Sequence, residues 1–260
     1  MSVVINTNVN SLKIQHNLTN ATNGLATSME RMSTGLKVLT AKDDAAGTVI
    51  SARMKVQLDG NKIAQNNVQN GNAMLATAEG HLDVVQDNLS RVRDLTLQAK
   101  NGTYSKEEIQ AMQDEAAELI NEIDRVSTSS KYSSLFLFND TGLQKDGATF
   151  QVGANSSDDN TILAEQSLFQ SVEFKELTTM AKFDLTKMSA AGMKTALDNL
   201  DKGLDNVTAR KSIIGSAQNR LESALSTLTT QYENLSSAKS IIMDADIAAE
   251  ASDYTQQSIL

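Results

Sequence analysis

The residues of this chain that could do chemistry are few, and their spacing does not bring them together. The two histidines, His16 and His81, fall in separate helical stretches, and neither belongs to a His-x-x-x-His or related pair. Helices with a heptad pattern put most of their polar residues outside, so both read as solvated positions. Two acidic pairs, Asp43-Asp44 and Asp244 with Asp246, could be drawn around a cation, but no calcium-loop spacing surrounds either. They read as solvated acidic turns. Cysteine is absent, which removes disulfides, thiolate nucleophiles and Cys-based metal sites. No glycine-rich loop ends in Gly-Lys-Ser/Thr, and neither a Gly-x-Ser-x-Gly elbow nor a His-Glu-x-x-His pair occurs. Sequons such as those at Asn17 and Asn139 are what a chain rich in Asn, Ser and Thr contains by chance. The sequence offers no catalytic, cofactor-binding or metal-binding residues and reads as a non-enzyme.

Composition points to long helices instead. The chain has 260 residues, no proline, no tryptophan and 4% aromatic residues. A compact globule of this length uses more aromatic bulk. A helical bundle needs less, because its core is a narrow seam of aliphatic side chains, and the absence of proline leaves helix interiors unbroken. The net charge of −9 disfavours a general nucleic-acid binder, whose affinity rests on neutralising phosphates. No apolar run approaches the roughly 18 residues of a membrane span. The start, Met1 to Leu12, lacks the basic and apolar stretches of a cleaved secretory signal.

The heptad pattern comes in two arms. In the first, Leu18, Leu25, Met29, Met32 and Leu36 share a stripe. Ala41 to Gly47 then reads as a loop or helix break. A second helix is expected from about Ser51 to Lys100, with its seam clearest at Leu75, Ala78, Leu82, Val85, Leu89 and Val92. Gly60, Gly71 and Gly80 inside it mark either tolerated weak spots or close approaches of a neighbouring helix or subunit. Asn101-Gly102 stops this helix. Ser105 and Glu108 form a capping box for a third, with Ile109, Met112, Ala116, Leu119, Ile123 and Val126 on one face, and the short connection makes an antiparallel hairpin. From about 131 to 188 the pattern changes. All six phenylalanines lie there, and Leu135–Phe138 and Thr149–Val152 read as strands around a turn-rich loop from Asn139 to Gly147, followed by a polar loop from Asn155 to Asn160. Helix resumes near Ser189, with a seam at Leu221, Leu225, Leu228, Tyr232 and Leu235 that reaches Ile242. The methionines fall largely on these seams and read as core. The expected fold is mainly α, an elongated helical bundle or coiled-coil rod formed by paired N- and C-terminal arms, with a small β-hairpin segment in the middle.

Several motifs, in this order, carry a resemblance. Ile5-Asn-Thr-Asn8, Arg31-Met-Ser-Thr-Gly-Leu36, Ala41-Lys-Asp-Asp-Ala-Ala-Gly47, Asn88-Leu-Ser-Arg-Val-Arg-Asp-Leu95 and Asn121-Glu-Ile-Asp-Arg-Val126 look like the N-terminal region of bacterial flagellin. Gly215-Ser-Ala-Gln-Asn-Arg220, Glu233-Asn-Leu-Ser236 and Asp244-Ala-Asp-Ile-Ala-Ala-Glu250 are similar to its C-terminal region. The resemblance implies a secreted subunit of the extracellular flagellar filament that self-assembles into a helical homopolymer for motility. It also implies two layers: an inner terminal coiled coil of residues 1–43 with 244–260, and a rod-shaped helical bundle of residues 44–243. The short middle implies a form without large outer domains. Passage through the flagellar type III export apparatus, with an export chaperone, is implied too. The family continues past the region of Gln257 to Leu260, so the end of the inner coiled coil and the chaperone site are expected to be mostly missing from this chain. Finally, the resemblance implies recognition by Toll-like receptor 5 through Arg91, Leu95 and Glu115, with Arg91 supplying bidentate contacts and Leu95 filling a pocket. The hook–filament junction protein, which shares the terminal helices, is the nearest alternative, although Asn88 to Leu95 favours flagellin. A signalling coiled coil would need an unbroken heptad through the Phe-rich middle.

Overall fold

The computed structural model describes residues 8–138, 143, 147–164, 169, 184–187 and 189–259. Five helices account for most of them: α1 (Val9–Thr34), α2 (Ala45–Ala99), α3 (Lys106–Ser129), α4 (Ala190–Met243) and α5 (Ile247–Ile259). Strands β1 (Lys131–Tyr132) and β2 (Leu135–Phe136) form one small antiparallel pair, and β3 (Ala148–Gln151) and β4 (Thr161–Ala164) another. The chain divides into two compact units, residues 1–62 with 229–260, and residues 63–228.

The larger core lies in the 63–228 unit. The α2 seam is as its spacing predicts, since Leu75, Ala78, Leu82, Val85, Leu89 and Val92 are all buried. From α3 come Ala116, Ile123 and Val126, and from α4 Ala196, Leu200, Val207, Ile214 and Leu221. Paired polar residues on the rim fix α2 and α4 in antiparallel register: Arg93 with Asp201 at 2.6 Å, Asp83 with Lys211 at 2.5 Å, and Glu79 accepting from Gln218 at 3.2 Å. The α3 capping box is complete. The Glu108 N–H donates to Ser105 Oγ at 3.2 Å, and the Ser105 N–H to Glu108 Oε2 at 2.7 Å.

The β region differs from expectation. Leu135–Phe138 does not pair with Thr149–Val152. The first segment turns back on Lys131–Tyr132 through Ser133, which takes a left-handed φ of 56°. The second pairs with Thr161–Ala164, where Ile162 and Ala164 face inward on alternate positions. Most of the expected loop from Asn139 to Gly147 lies outside the described residues. The polar loop before β4 closes in a 3₁₀ turn at Asp158–Asn160.

Gly71 is a close approach, but its neighbour is this chain's own hairpin rather than another helix or subunit. A Cβ there would stand 2.9 Å from Cδ1 of Phe150. Gly80 has nothing within 4 Å. The two glycines therefore give opposite expectations. Gly80→Ala should stabilise by about 1 kcal/mol through helix propensity. Gly71→Ala should lose about 1 kcal/mol net, because overpacking against the ring exceeds that gain. Thermal melts of the two variants beside the parent check the signs.

In the other unit α1 and α5 pack antiparallel. Arg31 Nη1 meets Glu250 Oε1 at 3.0 Å, and the Gln257 amide lies over Gly24. The face of α1 that makes this contact takes in only part of the stripe read from the sequence. Ser28 is buried and Ala21, Gly24, Leu25, Arg31 and Met32 are half-buried, whereas Leu18 and Met29 are exposed. Small side chains let the helices approach closely, so this pair is built on Ala21, Gly24 and Ser28 together with the heptad residues Leu25 and Met32. The breaks in the two arms are bonded to each other. Gly35, with φ 70°, ends α1 and accepts from the Ala245 N–H at 2.9 Å, and the Lys37 N–H donates to the Met243 carbonyl at 2.6 Å.

Candidate functional site

One member of each acidic pair, Asp44 and Asp246, caps a helix. Asp44 Oδ1 accepts from the Gly47 N–H at 2.9 Å and starts α2 at Ala45, earlier than the expected start near Ser51. Asp43 Oδ2 accepts from the N–H groups of Leu39 and Thr40 and from the Thr40 hydroxyl. Those donors at Thr40 hold its carboxyl below the ordinary carboxylate range. A lowered carboxyl stabilises the fold above its unfolded pKa and loses that contribution as pH falls through the folded value, so this turn weakens only in acid. Asp246 Oδ1 accepts from the Ala248 and Ala249 N–H groups at the start of α5, and Asp244 takes the Ser240 hydroxyl. Among the described residues, no cluster of three His, Asp or Glu side chains could hold a metal ion. Nor is any described helix long and apolar enough to cross a membrane.

Two surfaces remain. One lies on the α2–α3 hairpin. Arg91 Nε donates to Glu115 Oε1 at 2.7 Å, and both side chains are half exposed, at 49% and 45%. Glu115 raises the Arg91 pKa through this bond, so the guanidinium stays charged. An exposed pair of this kind adds only about 0–1 kcal/mol to stability, which leaves both groups free to exchange partners. Leu95 does not belong to this surface. It is 1% exposed and packs in the core, one step of three past Val92 on the buried seam. The expected pocket-filling side chain points inward here.

The second surface is on α1. Val9, Leu12, Ile14 and Leu18 are each more than half exposed. The pairs Gly24 with Gln257 and Arg31 with Glu250 fix the α1–α5 register.

Residues 5–142 match the N-terminal helical region of bacterial flagellins, and residues 197–260 match the C-terminal helical region. A flagellin of Halalkalibacterium halodurans is 35% identical over 259 residues, spanning 99% of this chain and 92% of that protein. The chain belongs to the bacterial flagellin family. As a flagellin it is a structural protein of the flagellar filament and not an enzyme. Its mainly helical fold is shared with the crystal structure of Bacillus cereus flagellin, at 25% identity and a TM-score of 0.53, covering 67% of this chain and 94% of that one. A hook-associated type of flagellar protein from Vibrio parahaemolyticus overlays with a TM-score of 0.61 at 18% identity, covering 77% of this chain and 99% of that one. That likeness is one of fold alone.

Proposed function

We propose that this flagellin polymerises with copies of itself through the exposed apolar residues around the first turns of α1, with residues 1–43 and 244–260 forming the inner layer of the filament and residues 44–243 the helical bundle outside it. The observation that carries this reading is the group Val9, Leu12, Ile14 and Leu18. Burying each such side chain is worth about 1.5–3 kcal/mol, and a second copy is the partner that a polymer supplies. Contacts that repeat without closing generate a helical polymer. Export as an unfolded chain through the flagellar type III apparatus fits a sequence without cysteine or proline, and puts the polymer outside the cell. The test is seeded growth. Purified chain added to short filament fragments should pellet with them above a critical concentration, and a chain that stays monomeric at every concentration contradicts the reading.

Recognition by Toll-like receptor 5 is the second part of the proposal, with Arg91 and Glu115 as the contacts and Leu95 beneath them, setting where α2 presents Arg91. Arg is enriched among residues that dominate binding energy, and truncating one costs 2 kcal/mol or more where it is a hot spot. Arg91→Ala should therefore lower potency in a receptor-reporter assay by about thirtyfold or more. Equal potency of Arg91→Ala and the parent removes Arg91 as a contact.

A further inference from the structure

Asn-Gly occurs three times in this chain, at 23–24, 70–71 and 101–102. The pair has a reactivity of its own. The glycine nitrogen can attack the asparagine Cγ, because no Cβ on the second residue hinders the approach. The fold puts the three pairs in two different states. Asn23-Gly24 lies inside α1 and Asn70-Gly71 inside α2. There each glycine N–H is committed to the carbonyl four residues earlier, and helical ψ holds the glycine nitrogen away from the asparagine Cγ.

Asn101-Gly102 is under neither restraint. It lies in the connection from α2 to α3, where residues 100–105 are all exposed. The Asn101 N–H donates to the Gln98 carbonyl at 3.0 Å. Among the described residues, nothing hydrogen-bonds the Asn101 carboxamide or the Gly102 N–H. The fold does not demand glycine at 102 either. A Cβ there would have nothing within 4 Å, and its φ is not left-handed. In the exposed loop before β4, Asn155 is followed by Ser156, whose Cβ hinders the same attack.

We infer that Asn101-Gly102 is a self-modification site, at which the folded chain deamidates without an enzyme. The Gly102 nitrogen gives up its proton to water or hydroxide and attacks Cγ of Asn101. The new N–Cγ bond closes a succinimide ring, the Cγ–Nδ2 bond breaks, and the amide nitrogen takes a proton and leaves as ammonia. Water then opens the ring at either carbonyl. Cleavage at Cγ gives aspartate on the original backbone. Cleavage at the main-chain carbonyl gives isoaspartate, whose backbone runs through Cβ and Cγ. One water is consumed, one ammonia is released, and nothing is oxidised or reduced. Either product adds a negative charge to a chain already at −9. That charge falls at the C-terminal end of α2, where the helix dipole disfavours an anion.

The experiment incubates the full-length parent, Gly102→Ala and Asn101→Asp in warm, mildly alkaline buffer over days, with a second parent sample in urea. Digestion in mild acid and mass spectrometry then follow each Asn-Gly peptide, and an isoaspartyl methyltransferase with labelled S-adenosylmethionine counts isoaspartate. In the folded parent, residue 101 should convert roughly tenfold or more faster than Asn23 and Asn70, which react only when their helices open. Its acid form should separate into two isomers, one of them eluting with the Asn101→Asp peptide. In urea the three rates should converge. Gly102→Ala, with unchanged far-UV circular dichroism, should convert roughly tenfold or more slowly than the parent, because its Cβ hinders the attack. Conversion at Asn101 no faster than at Asn23 and Asn70 in the folded parent overturns the inference. So does an acid form at 101 without isoaspartate, or Gly102→Ala reacting like the parent, because the glycine nitrogen would then not be the nucleophile. Rate differences that persist in urea would remove the fold as their cause and overturn it equally.

Discussion

Replacing Leu82 with alanine is expected to destabilise the 63–228 unit by about 2–5 kcal/mol. Leu82 is fully buried at the centre of the α2 seam, inside the core to which α3 and α4 also contribute. Truncation removes the transfer free energy of the lost methyl groups and leaves a cavity that three packed helices cannot easily close. With few aromatic residues in the chain, the core depends on such leucines. The urea midpoint, followed by circular dichroism, should fall while the slope stays the same. Val56→Ala on the same helix is the control. That side chain is solvent-exposed, so the midpoint should move by no more than about 0.5 kcal/mol equivalent.

Leu12→Asp/Leu18→Asp should abolish polymer growth while leaving the monomer as stable as the parent. In the monomer both side chains are exposed, and surface substitutions stay within about 0.5 kcal/mol. In a polymer that buries both positions, two carboxylates enter an apolar interface without partners, at a cost of several kcal/mol each. Their removal also forfeits the burial of two leucines, about 1.5–3 kcal/mol apiece. Repeated at every subunit, such losses exceed what a lattice contact supplies. The contrast between the two predictions separates fold from assembly: Leu82→Ala changes the melt, and the α1 variant changes only growth.

The helices were legible where the determinants are local. Ser105 and Glu108 lie three residues apart and satisfy each other's backbone, so the start of α3 could be read from four residues. The α2 seam was legible because large aliphatic residues recur at steps of three and four. The start of α2 was misread for a physical reason. Asp43, Asp44 and Gly47 look like breakers, yet Asp44 is also a good N-cap, and glycine in the first turn does not prevent a helix. The α1 contact face was hidden because close helix packing used Ala21, Gly24 and Ser28, while a hydrophobicity pattern weights Leu18 and Met29. Pairing of β3 with β4 depends on a register that no single segment encodes, although the alternation at Ile162 and Ala164 was a usable signal. At the candidate surface, Arg91 and Glu115 came from resemblance, and no local rule would join residues 24 apart. The burial of Leu95 could have been read from Val92 and Ala99, its neighbours on the seam.

Electron microscopy of the purified chain after seeding, beside Leu12→Asp/Leu18→Asp, tests the central claim most directly. The account predicts long helical filaments from the parent and only unextended seeds from the variant, with indistinguishable melts for the two monomers. Filaments of equal length from both chains would show that the α1 face does not build the polymer, and the absence of filaments from the parent would contradict the assembly reading as a whole.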